Sequence, residues 1–260
     1  MKVLFIFSLA LTYVGGTQKV LSTVSEKIIK ADNEVKFLIL SSKSDIDKDK
    51  SEWVEPFKSN KNNVYPIYFE PRGFELVRDG IKIAKGIPLP TLFDLILEFL
   101  KTEFTPDIII TNQQLYIRSI RESIKSLRLS SKIIAWHQNS LYLRWDSDFK
   151  HFVLSRIINL LRPKQIIYAD AHLAISTGIR DQILKINPIA NVYTVFNPIE
   201  PYCGPLIQRS KTPIFIYIGR LDDNQKNLKF MLKGFSKLQR DWKLEIIGTG
   251  PDKNKLKKTF

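Results

Sequence analysis

Short, almost uninterrupted apolar runs recur along this chain, and most are separated by longer segments whose apolar residues return every three to four positions. The runs are VLFIFS (3–8), VKFLIL (35–40), VYPIYF (64–69), DIIIT (107–111), KIIAWH (132–137), AHLAIS (171–176), VYTVF (192–196), PIFIYIG (213–219) and KLEIIG (243–248). The amphipathic segments lie at 17–30, 91–103, 113–128, 149–162, 177–186 and 227–240. A strand apolar on both faces is one covered on both faces, and strands joined through helices run parallel. The pattern therefore predicts an α/β chain built on a Rossmann-like parallel sheet with helices on both faces.

The first twenty residues, MKVLFIFSLALTYVGGTQKV, fit two incompatible readings. One lysine, an apolar stretch and a small-residue pair suit a secretory signal. The same residues suit a strand, a glycine turn and the start of a helix. Val20, Leu21, Val24, Ile28 and Ile29 line one helical face that needs a strand to pack on, and residues 3–8 supply it. The strand–turn–helix reading is the one expected. No apolar run reaches the roughly 18 residues that span a bilayer. The single cysteine, Cys203, excludes an intrachain disulfide and suits a reducing, cytoplasmic compartment. It has no activating neighbour in sequence and reads as an inert thiol.

Near residue 200 the pattern changes. FNPIEPYCGPLIQRSKTP holds four prolines and no apolar period, so it reads as a connection between domains. The expected division is a Rossmann-like domain at 1–199, a linker at 200–212 and a second domain at 213–260. Two strands and one helix are too few to cover a sheet, so that second domain reads as incomplete. Charge is uneven as well: residues 201–260 carry 13 Lys and Arg against 5 Asp and Glu, within a net charge of +14. Such an excess suits phosphates or an anionic surface.

Three places can carry chemistry. Gly15 and Gly16 join a strand to a helix, where backbone N–H groups attract an anion and glycine lets a ligand come close. His137 ends a strand. In IGRLDDNQKNL, Arg220 and Lys226 flank a polar loop after a strand, the place where open α/β sheets bind ligands. A guanidinium fork and an ammonium there suit a diphosphate.

GRLDDNQKNL resembles the signature of glycosyltransferase family 4, retaining enzymes of the GT-B fold. SLALTYVGGTQKVL, AWHQNSL (135–141), AHLAISTGIRDQIL (171–184), VFNPI (195–199) and LEIIGTGP (244–251) extend the likeness in order across nearly the whole chain. It is nearest to the enzymes that add hexoses to lipopolysaccharide cores and to capsular or exopolysaccharide chains. The resemblance implies a GT-B-like architecture. It also implies transfer of a hexose from a nucleotide sugar, a UDP-hexose, to a glycolipid or polysaccharide acceptor, with no further cofactor and no metal. In that scheme Arg220 and Lys226 hold the donor diphosphate and Gly15 and Gly16 face it. His137 stands near the transferred sugar as a catalytic-site residue, and Gly248 and Gly250 shape a turn. The family's Glu-x7-Glu pair has no counterpart in the second domain. Glu26 and Glu34 share that spacing but fall in the first, which reads as coincidence. Activity of this 260-residue chain is accordingly left open.

Two other readings stay open. Asp146 and Asp148 match the carboxylate pair with which a GT-A-type transferase holds Mn²⁺ or Mg²⁺; they equally suit the start of a helix at 149, which is preferred. A basic α/β protein without catalysis is the other. Lys229, Lys233 and Lys237 stripe the 227–240 segment opposite Leu228, Met231, Leu232, Phe235 and Leu238, as a nucleic-acid or anionic-membrane surface does. Nucleic acid is not expected, and a peripheral membrane contact through 149–162 is left open.

Overall fold

In the computed structural model the opening residues Lys2–Ser8 form strand β1, hydrogen-bonded on both sides. The structure describes residues 1–12, 15–41, 46–67, 75–78, 81–85, 89–112, 114–141, 160, 163–199, 201, 203–205 and 212–259. They fall into two units, Met1–Ile199 and Glu200–Phe260.

In the first unit, β1 is followed by α1 (Gly16–Lys30), β2 (Glu34–Leu40), β3 (Val64–Ile67) and the strands β4 (Glu75–Arg78) and β5 (Ile81–Lys85). Then come α2 (Leu89–Thr102), β6 (Ile108–Thr111), α3 (Ile117–Ser126), β7 (Lys132–His137), β8 (Ala171–Ala174), α4 (Thr177–Ile186) and β9 (Val192–Thr194). Seven strands form one parallel sheet in the order β3-β2-β1-β6-β7-β8-β9. β1 therefore lies inside the sheet, between β2 and β6.

Alternation along β1 divides the core. Val3, Phe5 and Phe7 pack with Val20 and Leu21 of α1 and with Trp53 and Phe57. Leu4 and Ile6 point the other way, into a cluster built from α2, α3 and α4 through Ile96, Leu100, Ile117, Ile120, Ile124 and Ile183. Burying each such side chain is worth about 1.5–3 kcal/mol. Strand β1 and the inner face of α1 are thus built into the core of this unit.

Several elements differ from expectation. The antiparallel pair β4–β5 was not foreseen. The segment expected as helix from 113 begins as a single 3-10 turn (Gln114–Tyr116) before α3 and ends where Arg128 takes a positive φ of 54°. β8 stops at Ala174, before the run ends, because Ser176 leaves the strand to cap α4, its hydroxyl accepting from Ile179 N–H. Residues 149–159, 161 and 162 of the expected 149–162 helix, and Asp146 and Asp148 before it, lie outside the described residues.

The second unit contains β10 (Ile214–Ile218), α5 (Asp223–Lys226), α6 (Leu228–Phe235), β11 (Lys243–Ile247) and α7 (Lys253–Thr259), with β10 and β11 parallel. Leu228 and Leu232 of α6 pack with Leu221 and Leu256. The helix expected over 227–240 begins one residue later, at Leu228, after Asn227 with φ 51° as its N-cap. It also ends early, at Phe235. Lys237 falls beyond it, and Leu238 is exposed. The foreseen lysine stripe is therefore not one helical face.

Candidate functional site

The sheet order reverses beside β1: β2 and β3 build outward on one side, and the chain then crosses to β6 on the other. The segment after β1 leads to α1 on one face, and the segment after β6 leads to α3 on the opposite face. Diverging connections of this kind open a crevice at the carboxyl ends of the strands, the usual ligand position in such sheets. Side chains pin its rim. Thr111 Oγ1 donates to Ile6 O at 2.8 Å, Gln18 Nε2 donates to Ala10 O at 3.3 Å, and Ser8 N–H faces Asn112 Oδ1 at 3.4 Å.

Gly15 and Gly16 stand on the α1 side of this crevice. Gly15 is the N-cap of α1, with φ −119° and ψ 176° and no side-chain cap on the helix. That is extended backbone any residue adopts. A Cβ on Gly16 would meet nothing within 4 Å. Neither residue's own conformation requires glycine, and the space beside Gly16 is open.

His137 ends β7. The parallel register sets His172 of β8 opposite Ala135, two residues earlier on the same face. The small Ala135 side chain leaves the two rings to meet diagonally, His137 Nε2 lying 3.0 Å from His172 Nδ1. The other nitrogen, Nδ1, lies 2.9 Å from Gln114 Nε2. His137 is fully buried, and both ring nitrogens are engaged by protein. Burial lowers the His172 pKa to about 4, so that ring is neutral at physiological pH. Neither His172 nor Gln114 stood out in the sequence, because a side-chain chain linking β6, β7 and β8 leaves no periodic trace.

In the second unit, the loop carrying Arg220 is zipped to the loop after β11. Gly219 N–H donates to Ile247 O at 3.0 Å, Leu221 N–H to Thr249 O at 2.8 Å, and Asp252 N–H to Leu221 O at 3.0 Å. This close approach explains Gly248 and Gly250, and a side chain explains Gly219. A Cβ on Gly248 would overlap the Gly219 carbonyl, one on Gly250 would overlap Leu221 O, and one on Gly219 would meet the Tyr217 hydroxyl. That hydroxyl donates to Arg220 O at 3.0 Å.

With its backbone held, the exposed Arg220 side chain reaches Asp222, Nε to Oδ2 at 3.6 Å. Asp223 Oδ1 accepts the Lys229 backbone N–H at 2.8 Å, capping the start of α6, and that bond leads the causes holding its carboxyl below the usual range. Lys226, the last residue of α5, is exposed and makes no ion pair among the described residues. The loop thus presents two cations from a stiff backbone. Gly15, Gly16 and His137 share the end of one sheet; Arg220 and Lys226 share the other unit. Among the described residues no cluster of three or more His, Cys, Asp or Glu could hold a metal.

The structure is similar to that of the lipopolysaccharide outer core galactosyltransferase WaaB, with a TM-score of 0.69 and 24% identity over 99% of this chain and 64% of that one. The fold is GT-B-like. Two curated proteins resemble the sequence, both lipopolysaccharide 1,6-galactosyltransferases. The one from Salmonella typhimurium is 41% identical over 91 residues, 34% of this chain and 25% of that protein. The one from Escherichia coli K12 is 28% identical over 154 residues, 58% of this chain and 38% of that protein. These matches span less than half of either relative's length. No family model matches the sequence.

Proposed function

We propose that this chain is a glycosyltransferase of the family 4 type, moving a hexose from a UDP-hexose to a lipopolysaccharide-core or related glycan acceptor with retention of configuration. The observation that carries the reading is the pair Arg220 and Lys226, presented from a backbone zipped to Gly248-Thr249-Gly250. Preorganised cations stabilise negative charge as it develops, with no reorganisation at the moment of reaction. As the bond from the sugar's anomeric carbon to the diphosphate oxygen breaks, its electron pair stays on the diphosphate, where both cations lower its energy. The acceptor oxygen forms the new bond on the same face, and its proton passes to the departing diphosphate. Positioning and phosphate stabilisation do the work that paired carboxylates do in glycoside hydrolysis. Galactose is the sugar suggested by the names of the relatives. Among the described residues no helix is long and apolar enough to cross a membrane. A cytoplasmic protein meeting a lipid-linked acceptor at the membrane surface fits the basic charge.

The test is UDP release with product-linkage analysis, using UDP-galactose and a lipopolysaccharide-core oligosaccharide. Lys226→Ala and Arg220→Ala should each lower kcat about 10²- to 10³-fold, and chelation by EDTA should leave the rate unchanged. Absence of both UDP binding and transfer would overturn the reading. Loss of transfer on chelation would favour the metal-dependent alternative through Asp146 and Asp148.

A further inference from the structure

His137 was the residue expected to touch the transferred sugar, yet its ring is fully buried and both nitrogens are taken by Gln114 and His172. Gln114 is placed differently. It opens the 3-10 turn after β6, on the connection that forms one side of the crevice, and its side chain is about nine-tenths buried. One end of its carboxamide meets His137 Nδ1. The other, Oε1, is buried and has no hydrogen-bond partner among the described residues. Exchanging the amide oxygen and nitrogen does not alter this: one polar atom is spent on the imidazole and the other is left over.

A buried polar atom without a partner costs about 1–3 kcal/mol. A ligand group that completes the pair recovers that cost, and among the described residues no group is hydrogen-bonded to it. We propose that Gln114 is a direct hydrogen-bonding contact for a sugar hydroxyl in the first unit's crevice, with His137 and His172 serving as the buried brace that fixes its carboxamide.

The chemistry selects the ligand class. A hydroxyl both donates and accepts, so it satisfies either end of an amide. With Oε1 left over, a phosphate has no proton to donate to it; in either orientation of the amide the neighbouring His172 is neutral and adds no charge to hold an anion. The proposal deepens the transferase reading and rests on it. The hydroxyl belongs either to the donor hexose or to the acceptor glycan, and the experiment separates the two.

The experiment is calorimetric titration of wild type and Gln114→Met with three probes: UDP, UDP-galactose and a lipopolysaccharide-core oligosaccharide. Methionine keeps the length of the side chain and removes both polar atoms. UDP affinity should stay within twofold. Affinity for UDP-galactose should fall about tenfold if the donor is the partner; affinity for the oligosaccharide should fall so if the acceptor is. A tenfold loss corresponds to about 1.4 kcal/mol. Equal binding of both sugars by the two proteins would overturn the proposal and leave the transferase reading intact. Failure of wild type to bind any of the three would overturn both. Should Gln114→Met not fold, ¹⁵N-labelled wild type decides: the Gln114 side-chain amide resonance must move on saturation with the sugar ligand and stay in place with UDP. An amide resonance that moves with neither sugar ligand would overturn the proposal.

Discussion

His137 and His172 meet ring to ring, Nε2 to Nδ1 at 3.0 Å, both fully or almost fully buried on neighbouring strands. For His172 the consequence is a pKa lowered by burial to about 4 from an ordinary 6.5. Between those values the unfolded chain binds a proton that the folded chain does not, so stability rises with pH there and falls on acidification. The contribution is fully present above pH 6.5 and is lost as pH drops toward 4, about 3 kcal/mol in all. Urea unfolding at pH 7.5 and pH 5 should show the loss, and His172→Gln should flatten it. An unfolding midpoint equally pH-dependent in both proteins would assign the effect to other groups.

Gly248 and Gly16 make opposite predictions for the same substitution. Gly248→Ala drives a Cβ into the Gly219 carbonyl oxygen, a backbone atom that yields only if the paired loops separate. The second unit should lose several kcal/mol and Arg220 its fixed position. Gly16→Ala meets open space in a helix, so it should be neutral or stabilise by up to about 1 kcal/mol. Thermal melts test both. A stable Gly16→Ala protein with impaired UDP-galactose binding would mark that space as ligand space.

Asp223 ties the cation-bearing loop together. Its backbone N–H donates to Asp252 Oδ2 at 2.8 Å, while its own carboxylate caps α6. Asp223→Asn keeps an accepting oxygen and should be nearly neutral. Asp223→Ala removes the cap and should cost about 1 kcal/mol. Chemical denaturation of the three proteins, with rank order wild type, Asn, Ala, is the check.

The parallel sheet was legible because burial on both faces writes itself into sequence as continuous apolar runs, and β1, β2 and β7 lie where VLFIFS, VKFLIL and KIIAWH stand. The β4–β5 pair carried a readable sign, Asp79-Gly80 between two β-rich stretches, a dipeptide that favours tight hairpins, but neither stretch is a continuous apolar run. The short helix at Asp223–Lys226 was harder to foresee, since residues 222–227 are all polar and carry no apolar period. Arg220 and Lys226 stood out because cations at a strand end are local in sequence. Gln114 did not, because its significance comes from an imidazole 23 residues away and an oxygen with no partner. Unmatched atoms exist only in three dimensions.

Tyr217 offers the finest probe of the cation loop. Its hydroxyl donates to Arg220 O at 3.0 Å and stands where a Cβ on Gly219 would have to go. Tyr217→Phe keeps the ring and deletes one hydrogen bond to the backbone that carries the guanidinium. A neutral hydrogen bond of this kind is worth about 0.5–1.5 kcal/mol. Looser placement of Arg220 should appear mainly where charge develops, in the bond-breaking step. The expectation is kcat reduced about three- to tenfold, with KM for UDP-galactose little changed and the thermal midpoint lowered by a few degrees. If KM rose and kcat held, Arg220 would be gripping the ground-state donor. If neither moved, the zipped loop alone would suffice to hold the guanidinium in place.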